Sequence, residues 1–296
     1  MYVNKEEQQI IDIFKELLDK YDKQGTREVR DGHTRVSVFG RQCRFNLNES
    51  FPLLTHRQHF LRAAFEEVMW YLRGETDNQI LKDKNVHVWD LWEGQVNPNV
   101  PTQLGKIYGH MFRNFGATDL DHITRPYTTE YLELKGFDQI EWLLNEIKVN
   151  PNSSRLIISN WDPVVSTNTP KEAVLPCCLT LLQFNIDDGK LNAQLYQRSS
   201  DCTVAGGWNI AQIALMTHMI AQQSDLAVGD FVWTTGDIHF YGDQIEDVRI
   251  MAERETHPFP KIKLKKAKDI YSYEWSDIEI IGYKHSGKIE NLKVSL

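Results

Sequence analysis

The residues of this chain that could do chemistry crowd into its middle third. Leu175-Pro-Cys-Cys-Leu179 sets two thiols side by side, Tyr196-Gln-Arg-Ser-Ser-Asp201 follows after a strand-length interval, and Gly206-Gly-Trp-Asn209 comes next. A thiol near an arginine can become a nucleophile, because the positive charge favours thiolate. An arginine–serine pair beside a helix start can hold phosphate. The asparagine amide carries a donor and an acceptor, enough to read the edge of a planar base. Each feature alone is weak, since buried polar side chains mostly satisfy nearby backbone; together they carry weight.

The four cysteines are Cys43, Cys177, Cys178 and Cys202. They form no disulfide framework, and no C-x-x-C or Cys/His ladder suggests zinc, so no metal is expected. The plain reading makes all four small buried hydrophobes. A nucleophile among them has to be argued from its surroundings.

Around these motifs, apolar spacing predicts helices over Lys5–Tyr21, Phe60–Arg73 (stopping at Gly74), Phe137–Val149, Trp208–Gln223 and Ile245–Arg254. The third of these ends at Asn150-Pro151, and the fourth is apolar on nearly every side, as a central buried helix would be. Strands are expected over Val36–Leu47, with a bulge at Gly40, and over Arg155–Trp161. Leu181–Ile186 and Leu191–Tyr196 flank Asp187-Asp-Gly-Lys190, a hairpin by its turn chemistry. Lys261–Lys268 alternates as a solvated strand, and the stretch from Asp90 to about Lys135 reads as a long irregular loop. With no repeat or linker, one α+β domain over residues 1–296 is the economical assignment.

The chain has 296 residues, 33 Lys+Arg against 41 Asp+Glu and a formal charge of −8, with 41% hydrophobic residues. That is a globular balance with room for a large core. Net acidity argues against a general nucleic-acid partner, although a few focused arginines can still hold a small anion. The most apolar stretch, Trp208–Ala221, is interrupted by Asn209, Gln212, Thr217 and His218 and is too short to span a membrane. The N-terminal residues lack a signal peptide's basic end and apolar core, so a cytoplasmic location is expected.

At these residues the sequence resembles the thymidylate synthase family. The matches run in order through Ser37-Val-Phe-Gly40, Arg44-Phe-Asn-Leu47, Phe51-Pro-Leu-Leu-Thr55, Glu67-Val-Met-Trp70, Val88-Trp-Asp90, Tyr108-Gly109, Asn152-Ser-Ser-Arg155, Gln197-Arg-Ser-Ser-Asp201, Asn209-Ile-Ala211, Gly229-Asp-Phe231 and Gly236-Asp-Ile-His-Phe-Tyr241. The resemblance implies a central mixed, twisted β-sheet flanked by helices and a sheet-mediated homodimer. It also implies one-carbon transfer from 5,10-methylenetetrahydrofolate to C5 of dUMP. Counting back from Gln183-Phe184 makes Cys178 the matching nucleophile, with Cys177 in place of a proline.

By the same resemblance, Cys178 adds to C6 of uracil, Asn209 reads the base and Glu67 relays protons. Arg30, Arg155, Arg198 and Ser199 hold the phosphate, with Arg155 reaching the partner's site, and Arg198 helps keep Cys178 ionised. His239 and Tyr241 meet the ribose, and Asp201 meets the pterin. Trp89 and Tyr108 wall the reacting carbons, while Val88, Val204, Trp208 and Arg57 face the folate. Taken singly, His239, Tyr241, Glu67 and the tryptophans read equally well as packed or solvated structural residues.

The chain also departs from the family pattern. Leu179 follows the nucleophile where a histidine is usual, and Ser154-Arg155 replaces paired arginines. Tyr108-Gly-His-Met111 lacks the usual glutamine, Val204-Ala-Gly-Gly-Trp-Asn209 replaces a proline-containing folate loop, and Lys284-His-Ser-Gly287 replaces a proline-containing turn. A loosened loop would let water in, which tilts expectation toward dUMP hydroxymethylation, a branch known from phages with modified DNA and acting in the host cytoplasm. The alternative is thymidylate synthase, favoured by the retained Trp89 and Leu175. A non-catalytic nucleotide- or RNA-binding paralogue is more remote, and a thiol hydrolase has no histidine spaced to pair with Cys178. No membrane or nucleic-acid partner is expected.

Overall fold

Asn4 opens the first helix: its side-chain oxygen accepts from the N–H groups of Glu6 and Glu7, both at 3.2 Å. The computed structural model describes residues 3–30, 32–117, 136–290 and 292. Helix α1 (Lys5–Gln24) buries Ile10, Ile11, Phe14, Leu17 and Leu18 and stops at Gly25, whose φ of 68° suits glycine. It packs on the sheet through the strand that follows.

Six strands form one mixed sheet: β1 (Arg27–Arg30), β2 (His33–Asn46), β3 (Ile157–Ser159), β4 (Leu179–Asp187), β5 (Lys190–Asp201) and β6 (Ala227–Tyr241). Their spatial order is β1-β2-β6-β5-β4-β3, antiparallel throughout except for the parallel β5–β6 pair. The hairpin between β4 and β5 turns at Asp188 and Gly189, with φ of 47° and 70°, as a two-residue primed turn requires.

Helix α2 (Leu61–Leu72) and the later α7 (Ala205–Gln223) pack on each other, and α7 lies over β5 and β6. Short helices α3 (Asn78–Lys82), α4 (Tyr108–Arg113) and α6 (Pro163–Thr167), the longer α5 (Gln139–Val149) and α8 (Ile245–Glu253), and the ribbon β7 (Lys261–Leu264)–β8 (Ile278–Ile281) complete the single α+β domain. Arg113 locks α4 to α5. Its Nε lies 2.6 Å from Asp138 Oδ2, Nη1 donates to the Leu72 carbonyl at 2.9 Å, and Asp138 also caps α5.

The expected helices and hairpin are present with shifted ends; Phe137, for example, bridges to Phe115 rather than joining α5. Three expectations change. Gly40 takes a φ of 71° but the β2–β6 register runs past it unbroken, so there is no bulge. The expected irregular loop contains α4, which is short enough that its apolar run lacks a visible period, and residues 118–135 of that loop fall outside the described residues. The central strand β6, not expected as an element, is hard to see in the sequence because Gly229, Asp230, Gly236 and Asp237 interrupt its apolar residues, although Phe231, Trp233 and Thr235 are buried and Asp230 and Thr234 are partly exposed.

Helix α4 matters because Tyr108 is its first residue. Gly109 fixes how closely that turn approaches the chain after α2: a Cβ there would sit 2.0 Å from the Glu75 carbonyl oxygen. Gly109→Ala should therefore destabilise the protein by roughly 1–3 kcal/mol, as overpacking does, and displace Tyr108. Urea unfolding checks this; an unchanged midpoint would contradict the packing.

Candidate active site

Cys178 is fixed through its backbone. Its N–H donates to the Tyr108 hydroxyl oxygen at 2.8 Å, the N–H of Leu179 reaches the same oxygen at 3.2 Å, and its carbonyl accepts from Arg198 N–H at 3.0 Å. The Arg198 guanidinium is itself pinned: Nε donates to the Cys177 carbonyl at 3.0 Å and Nη2 to the Pro176 carbonyl at 2.7 Å. This holds Nη2 at 3.5 Å from Cys178 Sγ. Burial pushes the Cys178 thiol up, and the Arg198 charge opposes that rise. Cys177 is 4% exposed and belongs to the core, and burial drives its thiol well above the ordinary range. Cys43 is pushed up to about 12 by burial. Of the two adjacent thiols, only Cys178 opens on a cavity.

That cavity, about 690 Å³, lies between α2, α7 and the sheet. Glu67 of α2 forms part of its floor, 5% exposed, with four donors on its carboxylate. Tyr71 Oη (2.5 Å) and Trp89 Nε1 (2.7 Å) donate to Oε1; Trp208 Nε1 (2.6 Å) and Gln212 Nε2 (2.7 Å) donate to Oε2. Burial raises the Glu67 pKa, and the four hydrogen bonds work against that rise. Tyr71 also packs on Tyr108, ring centroids 4.7 Å apart, so the carboxylate and the nucleophile's anchor share a wall.

From Glu67 a chain of amides runs to the sheet. Trp233 Nε1 donates to Gln197 Oε1 at 2.8 Å, Gln197 Nε2 to Asn209 Oδ1 at 2.9 Å, Asn209 Nδ2 to Gln212 Oε1 at 2.9 Å, and Gln212 Nε2 to Glu67. An indole can only donate and an ionised carboxylate can only accept. The two ends therefore force the orientation of all three amides between them. Asn209 keeps a second N–H and a second lone pair, one donor beside one acceptor, in a residue that lines the cavity.

At the other end stand Ser199, His239 and Tyr241 from β5 and β6, together with Arg35 from β2. His239 Nδ1 lies 3.0 Å from Asp237 Oδ1, which fixes the ring. Asp201 lines the cavity, but its oxygens already accept from Thr203 N–H (2.8 Å), Thr203 Oγ1 (2.6 Å) and Gln244 Nε2 (2.9 Å), so they hold the turn into α7. Arg57 donates to the Thr203 carbonyl at 2.8 Å, and burial lowers its pKa to about 10, which leaves it charged at neutral pH.

The turn itself is not loose. Gly206 and Gly207 lie in the first turn of α7, and a Cβ on Gly207 would sit 2.4 Å from His59 Cε1 and 2.9 Å from Leu54 Cδ1. The missing side chain is filled by its neighbours, and Trp208 is tied to Glu67. Leu179 and Met111, each 1% exposed, are core residues that do not line the cavity. The expectation of a slackened, wetter loop is corrected on these grounds.

The structure thus gathers Cys178, Glu67, Tyr108, Arg198, Ser199, Asn209, His239, Tyr241, Asp201, Val88, Trp89, Val204, Trp208 and Arg57 around one cavity. Arg155 is exposed and does not line it. The Arg30 side chain falls outside the described residues. Sequence reasoning missed Arg35, His59, Tyr71 and Gln197; only Gln197, beside Arg198-Ser199 in a quoted motif, carried a signal. Among the described residues no group of three or more His, Cys, Asp or Glu could hold a metal, and no helix is long and apolar enough to cross a membrane.

The family model for thymidylate synthase matches residues 8–295. A bifunctional dihydrofolate reductase–thymidylate synthase of Paramecium tetraurelia is 36% identical over 297 residues, covering 98% of this chain; the chain spans 62% of that relative's length.

Because Cys178 is the thiol that faces both the cavity and Arg198, iodoacetamide should alkylate it and leave Cys177 unmodified. Alkylation should rise with pH through and above the ordinary thiol range, and Arg198→Ala should displace the profile to higher pH, since the stabilising charge is gone. Peptide mapping across a pH series reads both; labelling of Cys177 first, or an unmoved profile, would contradict the assignment.

Proposed function

The chain belongs to the thymidylate synthase family, one-carbon transferases that use methylenetetrahydrofolate as co-substrate, and within it we propose that this chain methylates dUMP reductively to dTMP, with dihydrofolate as the other product. The observation that carries this reading is the closed, hydrogen-bonded turn into α7, beside a relative named as a bifunctional dihydrofolate reductase–thymidylate synthase. Hydride transfer requires water kept from the C5 methylene. Trp89, Trp92 and Leu175 line the cavity, and Leu179 and Met111, two of the departures from the family pattern, are packed core. Reductive methylation is therefore favoured over hydroxymethylation.

In this reading the Cys178 thiolate adds to C6 of uracil, which makes C5 nucleophilic. Arg198 stabilises the thiolate before attack and, with Ser199, meets the phosphate. Charge developing at O4 is met by the second N–H of Asn209, while its oxygen accepts from N3–H. Cytosine presents the reverse pattern and finds the fixed amide mismatched. Glu67, at the end of the amide chain, receives and returns protons. His239 and Tyr241 meet the ribose, and Arg57, Val88 and Val204 the folate. Folate supplies both the one-carbon unit and the hydride. A homodimer in which Arg155 completes the partner's phosphate site belongs to the same proposal, as does a cytoplasmic location.

With dUMP and methylenetetrahydrofolate, dTMP should accumulate in step with the dihydrofolate absorbance. Formation of 5-hydroxymethyl-dUMP with tetrahydrofolate and no dihydrofolate would replace this reading by the hydroxymethyl one. Asn209→Asp should move preference from dUMP toward dCMP, read from the ratio of kcat/KM values; an unaltered ratio would remove Asn209 from base reading.

A further inference from the structure

We propose that Arg35 is a phosphate ligand of the nucleotide site, supplied from β2 of the same chain; the inference rests on the nucleotide reading above. Three observations carry it. Arg35 lines the cavity beside Ser199, His239 and Tyr241. The β2–β6 register pairs Arg35 with Tyr241, and the β5–β6 register pairs Ser199 with Asp237, so the arginine and the serine approach Asp237 from opposite sides.

Second, the guanidinium is only partly used. Nη2 donates to Asp237 Oδ2 at 3.0 Å, whereas Nε is buried with no acceptor among the described residues. Nη1 likewise makes no hydrogen bond among the described residues, so an edge of a guanidinium that lines the cavity is left to donate to an oxyanion.

Third, the Asp237 carboxylate is shared. Arg27 lies 3.8 Å from the Asp237 carboxylate and Arg35 lies 3.0 Å from it, so among the described residues two guanidinium groups face this one carboxylate. That carboxylate also holds His239, which stops it from turning fully to Arg35. Arg35 lines the same cavity as Arg198 and Ser199.

The test is the affinity of the full chain for dUMP and for deoxyuridine, which lacks the phosphate, in wild type, Arg35→Gln and Arg35→Lys, by titration calorimetry or ligand-detected NMR. Arg35→Gln should weaken dUMP binding by about tenfold to a hundredfold, the span of a charge-assisted hydrogen bond. Deoxyuridine binding should be unchanged, and Arg35→Lys should recover part of the loss. Inorganic phosphate should compete with dUMP more strongly on wild type than on Arg35→Gln. Unchanged dUMP affinity in Arg35→Gln, or equal weakening of both ligands, would overturn the inference, the second by marking a structural role through Asp237. A wild-type chain without affinity for dUMP would sink the nucleotide reading itself and this inference with it.

Discussion

The site depends on one buried carboxylate. Burial raises the Glu67 pKa, and no salt bridge among the described residues involves it. Four hydrogen bonds from Tyr71, Trp89, Trp208 and Gln212 hold it instead. Losing one partner of such a set leaves a buried group unsatisfied and costs about 1–3 kcal/mol. The four donors come from α2, the turn near Trp89 and α7, so satisfying one side chain brings three segments into register. The same requirement orients Gln212, then Asn209, then Gln197, as far as the indole of Trp233. In the proposed reading this fixes the Asn209 amide before substrate arrives, so it needs no reorganisation when it is used.

Cys178 is held by a different principle. Tyr108 and Arg198 grip the backbone around Cys178 from two sides, and the pinned guanidinium keeps its charge near the sulfur. In the proposed reading Arg198 links two tasks, lowering the cost of thiolate and facing the anionic end of the nucleotide. The turn into α7 illustrates how departures from a family pattern compensate each other. Gly207 makes room for His59 and Leu54, and Trp208 adds a donor to Glu67. Read one at a time these residues suggest slackness; packed together they close the wall.

Much of this was legible before any coordinates. Periodicity located α1, α2, α5, α7 and α8, because each buries one apolar stripe or, for α7, nearly its whole surface. The paired thiols, Arg198-Ser199 and Asn209 were visible by residue type, and of these Cys178, Arg198, Ser199 and Asn209 line one cavity while Cys177 is core. What escaped were interactions that sequence spacing does not encode. Gln212 read only as a polar interruption in an apolar helix, yet it is fully buried and joins Asn209 to Glu67. Arg35 lies one residue before the expected strand and carried no signal, and only the β2–β6 register brings it to Asp237. His59 gains its place from the absence of a side chain at Gly207, 148 positions away by sequence number, a complementarity no local pattern carries.

The central claim is that the chain from Glu67 fixes the Asn209 amide and thereby selects uracil. The most direct measurement is the ratio of kcat/KM for dUMP over dCMP in the double variant Gln197→Met/Gln212→Met, which keeps the volumes and removes both links to Asn209. With Asn209 untouched, the account predicts a ratio lowered by about a hundredfold, a fraction of what a fully matched polar site achieves. A variant that remains folded and active with the wild-type ratio would show that Asn209 holds its orientation without the carboxylate, and would contradict the account.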